Sequence, residues 1–521
     1  MAKRAQNHVR ATALDKAIGY VSPRVAADRL RARREVAGLT RGYDGTAKGR
    51  LSGDWHAPET SADAEIGAAG PTLRRRARDL SRNNPHAAKA VSALTMNAVG
   101  TGITPTPVTG DASLDARVAK LWDDWAGTPA CDADGQLTFR GLQTLAFREM
   151  VEAGEVLLRM RPRRDSDGLP VPLQIQMLEA EQLDASKTTD LPGGRRIVQG
   201  VEMDALGRRR AYWLLDGHPG DVGTVAGSGL GQSRAVPARN VAHMYEKQRQ
   251  QTRGVPWGAP VMRTLRDLDQ WREAEIVRKR AEASVAAIVM TDEAQIDAGI
   301  APGVTNADDQ LVETFAPGMI AYAHGGKDIK FNEPTQTSDQ PAWLRAHLHI
   351  LAAGYRVPYE LLTGDLSQVN FSSIRAGLVE FRRMLETLQW QVIIPSLCQP
   401  VWDWFTQAAF DAGLLPRPDI AVAWQPPRFE AVDAEKDAKA DIKAVRAGLM
   451  SLSQAIQRRG YNPTAQLAEI ARDFDMLDDL GIVLDSDPRR TSGAGVFQDS
   501  DDEDADGGDQ GRPPSRGSSD A

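Results

Sequence analysis

Few residues in this chain have the means to do chemistry, and they are scattered. Histidine occurs eight times. His347 and His349 stand two apart in a stretch with helical spacing, so they leave on different faces and one metal ion cannot take both. Cys131 and Cys398 have no CxxC partner, which excludes a zinc knuckle and a disulfide framework and fits a reducing cytosol. The acid pairs Asp123–Asp124 and Asp478–Asp479 are of a type that holds Mg²⁺. They lack spaced partner carboxylates and read as solvated faces or caps. No GxxxxGK[ST] loop is present; GTAKGR and HGGKD lack the phosphate-cradling geometry, and GSGLG is not GxSxG. Two basic groups could touch phosphate: Arg74, Arg75, Arg76, Arg78 and Arg82, and the run Arg278, Lys279, Arg280. The second lies among Glu273, Glu275 and Glu282, so helix-surface ion pairing competes with DNA or subunit contact. Trp and Phe sit at core spacings rather than between arginines, which argues against base stacking. No catalytic residue, cofactor site or metal site emerges, and a structural or assembly role is favoured.

The bulk properties agree. The chain has 521 residues, 41% hydrophobic and 26% charged, enough for two to four domains with real cores. A net charge of −7 excludes coating of nucleic acid by mass electrostatics. There is no secretory h-region and no run of 18 apolar residues, so no membrane role is expected. Residues 1–50 hold twelve Lys/Arg against four Asp/Glu and read as a basic, largely flexible arm that extends to residue 70. From Asp485 to Ala521 ten Asp/Glu face four Arg among Gly and Ser, the composition of a disordered acidic tail.

The elements between these ends follow from periodicity. A short helix is expected near Pro23 to Val36. A helix opens at Pro71 with Leu73, Ala77 and Leu80 on one face; Asn84 then caps a second, opened by Pro85 and closed at Gly100 and Gly102. Helices follow at 113–126 and 139–152. Residues 155–246 alternate as a small antiparallel β unit around the loop GDVGTVAGSGLGQ. Val261 to Met290 reads as one unbroken helix, apolar at its start and charged on nearly every side beyond it; such a helix crosses solvent or packs beside copies of itself. Residues 291–335 are irregular and short-stranded. A helix from Pro341 to Gly354 leads to a polar loop holding Gly364, Asp365, Ser367, Gln368 and Asn370 with Ser372 and Ser373. Phe371, Ile374, Leu378, Phe381, Leu385, Leu388 and Val392 form an apolar seam ending at Pro395. A final helical part runs from Lys436 to Leu480.

Six blocks in order carry a family resemblance: YDGTAKGRLSGDW from Tyr43, RARDLSRNNPHAAKAVSALTMNAVGTGI from Arg76, MVEAGEVLLRM from Met150, IQMLEAEQLD from Ile175, RGVPWGAPVMRTLRDLDQWREAE from Arg253 and VPYELLTGDLSQVNFSSIRAGLVEFRR from Val357. Over roughly residues 40–430 the chain resembles the lambda-type portal proteins of tailed bacteriophages. The resemblance implies an α+β, mainly helical phage portal fold of wing, stem, clip and crown with a small antiparallel β unit in the wing. It places the wing at 71–255, the first stem helix at 256–290, the clip at 291–340 and the second stem helix at 341–358. The tunnel loop falls at 359–373, a long helix returning to the wing at 374–430, and a helical crown at 431–484, the last assigned on general helicity alone. It also implies a non-enzymatic ring of copies of this chain, commonly twelve, at one capsid vertex of the virion, assembled in the host cytoplasm. Sequence-nonspecific double-stranded DNA would pass through it. The expected partners are the terminase large subunit, scaffold and major capsid proteins, and head-completion or adaptor proteins. A tunnel loop of Gly364, Asp365, Ser367, Gln368, Asn370, Ser372 and Ser373 touches water and DNA without gripping sequence, and net negative charge keeps that contact weak. Two other classes compete: a Mg²⁺-dependent nuclease or recombination enzyme, which needs clustered carboxylates, and a head–tail adaptor or minor capsid protein, generally smaller and without paired long helices.

Overall fold

The computed structural model describes residues 59–221, 232–291, 319–324, 340–367, 371–427, 434–461 and 463–484, with a few isolated positions besides. The chain divides into two units, Met1–Ala64 and Glu65–Ala521, and nearly all described elements belong to the second. The expected helix at 23–36, the Tyr43 block, most of the 220–232 loop, most of 291–340 and the acidic tail lie outside the described residues.

The first helix, α1 (Ala62–Asn83), starts nine residues before the expected Pro71, which lies inside it. The alanine-rich run ADAEIGAAG carries the helix through Gly67 and Gly70. At the Asn-Asn-Pro bend, Asn84 is extended, and its Oδ1 accepts from the backbone N–H of His86 and Ala87, both at 3.0 Å. That cap and Pro85 open α2 (Pro85–Val99), which ends at Gly100. Strand β1 (Thr104–Pro107), α3 (Ala112–Ala126) and α4 (Phe139–Ala153) follow, the helices within a residue or so of their expected bounds.

The β unit is two antiparallel sheets. Three strands, β2 (Glu155–Pro162), β3 (Leu173–Leu178) and β9 (Val241–Tyr245), pair in the order β3-β2-β9. The other five are β4 (Thr189–Leu191), β5 (Arg195–Val198), β6 (Val201–Met203), β7 (Arg209–Leu214) and β8 (Arg234–Pro237), in sequence order. Alternation puts Leu173, Ile175 and Met177 on one face; the first two are buried, Met177 is half-buried, and Leu178 takes the next buried place.

After these comes α5 (Met262–Ser284), which ends six residues before the expected Met290. From Val285 the backbone is a strand, β10 (Val285–Thr291), paired parallel with β11 (Met319–His324), with Ile288 opposite Ala321. Valine and isoleucine lose side-chain freedom in a helix and fit a pleated pair better, so the run VAAIVMT leaves the helix.

The chain returns through α6 (Gln340–Tyr355) and the short α7 (Tyr359–Thr363) to α8 (Phe371–Leu388). Pro395 does not stop this last helix. Residues Gln389–Cys398 widen into a π-helical segment, the N–H of Gln399 bonds the carbonyl of Ile394 five residues back, and the rod continues as α9 (Gln399–Asp411). The wider turn absorbs the proline that a 3.6-residue turn would reject. Strand β12 (Val422–Gln425) pairs with β1, and three helices close the described chain: α10 (Ala434–Arg446), α11 (Leu452–Arg458) and α12 (Pro463–Asp479).

The main core gathers α2, α3, α4, α6, α8 and α9 around aromatic rings. Trp122 meets Trp125, Phe139, Trp402 and Phe405 at centroid separations of 5.0–5.5 Å, largely edge to face. A smaller cluster of Leu157, Leu178, Val201, Tyr212 and Leu214 lies between the two sheets.

Candidate functional site

Two features stand out from the scaffold: a buried carboxylate on which four segments converge, and a helix pair with its loop. The carboxylate is Glu155, at the first position of β2 and fully buried. Its Oε1 accepts from Arg74 Nη1 at 2.9 Å and Arg253 Nε at 2.7 Å; its Oε2 accepts from the Gly254 N–H at 2.9 Å and contacts His243 Nε2 at 2.9 Å. Arg209 reaches the other ring nitrogen of His243, Nδ1, at 2.8 Å. An arginine can only donate, so Nδ1 accepts, Nε2 carries the hydrogen, and His243 is neutral. Burial agrees, drawing the imidazole down to about 4. Burial also pushes against a charged Glu155, but Arg253 and His243 overcome it and hold the carboxyl well below the usual range.

The backbone at this point admits no side chain. A Cβ on Gly254 would lie 2.0 Å from the carbonyl oxygen of Gly154, and one on Gly154 would lie 2.5 Å from Val255. The blocks AGE (153–155) and RGVPWG (253–258) therefore press backbone on backbone, with charge locked beneath.

Two of the five α1 arginines are structural in the same sense, while Arg75, Arg76 and Arg82 are exposed. Arg74 is buried on Glu155, and Arg78 bridges Glu149, Glu179 and Glu181. Burial pushes Glu149 up to about 7, while the hydrogen bond from Arg78 outweighs burial at Glu181 and holds it low. Glu179, Glu181 and His218 also bring ligand atoms within 4.8 Å of one another, the spacing of a metal site. Arg78 already occupies both carboxylates, which makes this an ion-pair cluster.

The helix pair is antiparallel. Gly354, near the end of α6, lies against Val261 just before α5, so close that a Cβ there would meet Val261 Cγ1 at 2.2 Å. At the other end Trp343 meets Trp271 at 4.6 Å, and Gln340 Nε2 donates to Glu275 at 3.0 Å. Met262, Leu265 and Leu268 are buried, whereas no described side chain of α5 beyond Leu268 is, and Ile276 and Val277 are exposed. Only the base of the pair is rooted in the core.

Arg356 turns the chain out of α6 at φ +60°, a conformation that usually calls for glycine. Its guanidinium holds Glu246 through 2.8 and 3.0 Å contacts and lies 4.6 Å from the Trp257 ring. These contacts fasten the turn to the β unit.

The predicted loop is more ordered at both ends than a loop spanning 359–373. Residues Tyr359–Thr363 are α7, Gly364 caps it in the left-handed region, and Ser372 and Ser373 belong to the first turn of α8. Asp365 accepts from the Ser367 N–H at 3.0 Å and from Tyr359 Oη at 3.2 Å, with Arg345 of α6 at 3.8 Å; the hydrogen bonds from Ser367 keep its carboxyl below the usual range. Tyr359 stacks on His349 at 4.2 Å. Gln368 and Asn370 lie outside the described residues. In the basic run, Arg278 pairs with Glu275, and Lys279 and Arg280 are exposed. His347 packs on Trp343 while His349 packs on Tyr359, so the two histidines do diverge.

Neither cysteine offers a nucleophile: burial pushes the Cys131 thiol up to about 12 and raises Cys398 as well. Glu155, Arg253, Arg356 and Glu246 went unnoticed as individual residues in the sequence. Glu155 and Arg253 do lie in two of the quoted blocks, but no spacing rule links residues 98 apart.

The family described as phage portal protein, lambda family, matches residues 48–389. Among curated proteins, the probable portal protein of Halomonas phage phiHAP-1 is 26% identical over 468 residues, spanning 85% of this chain and 88% of that one. The portal protein of Escherichia phage N15 is 24% identical over 477 residues, spanning 82% and 88%. Among solved structures, the chain is similar to one from the neck of a native GTA particle computed with C12 symmetry, at 14% identity and a TM-score of 0.40, covering 75% of this chain and 94% of that chain. It is also similar to one from the neck of an empty GTA particle computed with C6 symmetry, at 13% identity and a TM-score of 0.41, covering 79% and 97%.

Proposed function

The chain belongs to the lambda family of phage portal proteins, and from that premise we propose that its copies close into a ring at one capsid vertex, the channel through which DNA is packaged and ejected. The family is structural and not enzymatic, which sets aside the nuclease reading. The observation that carries the proposal is the α5–α6 pair, rooted at its base, with no described side chain of α5 buried beyond Leu268. A polar rod of this kind gains partners when identical rods stand beside it around a pore.

On this reading α5 and α6 are the stem helices, and the segment joining them, with β10 and β11, is the clip that docks the terminase large subunit and the head-completion proteins. The α1–β9 region is the wing against scaffold and major capsid proteins. The Gly364–Ser373 stretch narrows the tunnel, α10–α12 form the crown, and Arg278, Lys279 and Arg280 on the stem meet DNA or the next subunit. On this reading duplex DNA passes without being gripped, because the Asp365 carboxylate is held by its own neighbours and repels the phosphate backbone. Particle images of the purified full chain test this. The expected result is a ring with an axial hole wide enough for duplex DNA. A compact single copy under every assembly condition overturns it.

A further inference from the structure

The three helices after β12 lack a core of their own. Among the described side chains from 435 to 484, only Met450, Ala455 and Ile456 are buried apolar residues. Yet two of the helices are patterned to bury a face. On α12, Leu467, Ile470, Phe474 and Leu477 follow at steps of three and four, and none is buried. On α10, Ala438, Ile442 and Val445 do the same, and Leu449 continues the series just past the helix end; Ile442 is 53% and Leu449 83% exposed. A free-standing helix of this length is marginal in water, so such a face needs a partner.

The charges beside the two seams are opposite. α12 carries Glu469, Asp473, Asp475, Asp478 and Asp479 against Arg472 alone. α10 carries Lys436, Lys439, Lys443 and Arg446; of its three acids, Glu435 offsets Lys439 within the helix, while Asp437, 3.2 Å from Arg375, and Asp441, 2.9 Å from Arg459, are offset from outside it. Arg489 lies 4.2 Å from the Phe474 ring and pairs with Asp478, covering part of the α12 face and leaving Leu467 exposed and Ile470 half-buried.

We infer that the apolar, acidic face of α12 in one copy packs on the apolar, basic face of α10 in the next copy. The inference rests on the ring reading and names a contact within it. A second copy fits better than an unrelated partner because one chain carries both halves of the match: two seams of similar length with complementary flanks. Face-to-self pairing would set acids against acids. A head-to-tail contact of unlike faces is the kind that closes a ring.

The test places single cysteines near the middle of each seam, Ile442→Cys and Ile470→Cys, in separately tagged full chains that are co-expressed, oxidised and run without reductant. Cys131 and Cys398 are buried and stay silent. The co-expressed pair should give a cross-linked dimer at least about tenfold stronger than either variant alone, since a seated contact raises the effective concentration to the millimolar range. A chain carrying both substitutions should give a ladder of higher multimers. Rings visible in particle images without the mixed cross-link overturn this contact and leave the ring standing. Equal cross-linking of each variant with itself overturns the unlike pairing. An internal disulfide in a dilute double variant means the two faces cover each other within one chain, which also overturns it. A chain that forms no ring in the images removes the ring reading and this contact together.

Discussion

Glu155→Gln is the perturbation that most directly probes how α1, β2, β9 and the 253–254 segment are held together. The glutamine matches the carboxylate in size, so it opens no cavity. It withdraws the negative charge facing two buried guanidinium groups, Arg74 and Arg253. It also replaces one acceptor oxygen by an NH₂, which must then face donors, because all four partners of Glu155 donate. Breaking a buried ion pair from one side costs about 3–5 kcal/mol, since the other charge stays buried without compensation. For a cooperative unit of roughly 200 residues, each kcal/mol lowers Tm by about 2–4 °C, so a drop near 10 °C is expected by thermal unfolding. The double variant E155Q/R253M should recover part of the loss, as one stranded charge goes with its partner. A shift of less than about 2 °C in E155Q would refute the claim that this hub holds the segments together.

The same hub makes stability fall in mild acid. His243 binds a proton at about 4 when folded, against 6.5 ordinarily, so below pH 6.5 the unfolded chain takes up a proton that the native state refuses. Glu149, raised to about 7, acts in the opposite sense over much of this range, so the test is the difference between variants: a His243→Gln variant should lose less stability than the wild type, or gain some, between pH 6.5 and 4 in thermal scans, and equal slopes would place the acid sensitivity elsewhere. At the base of the helix pair, Gly354→Ala forces a methyl into Val261 Cγ1, and overpacking of this kind costs about 1–3 kcal/mol. Proteolysis should then cut α5 and α6 faster than the wild type while leaving the β unit intact, and unchanged cleavage would show that the base relaxes freely.

Local chemistry made much of this protein legible in its sequence. Asn84 and Pro85 specify a helix start with their own atoms, alternation at Leu173 and Ile175 shows which side of the strand is buried, and the lack of spaced ligands argues against catalysis without any fold. Signals that depend on competition between local preferences misled: Pro71 and Pro395 looked like boundaries and lie inside continuous rods, and Val285 looked helical until a parallel partner strand was on hand. What tertiary structure alone decided is which charges meet. Arg74, Glu155, His243 and Arg253 are spread over 180 positions, and no periodicity relates them; the backbone contact of Gly154 with Gly254 brings them together. Sequence fixes periodicity because neighbouring residues share one backbone geometry, whereas pairing between distant residues depends on how the whole chain closes, and only the closed chain shows that Arg74 and Arg78 of α1 are spent on carboxylates of distant segments.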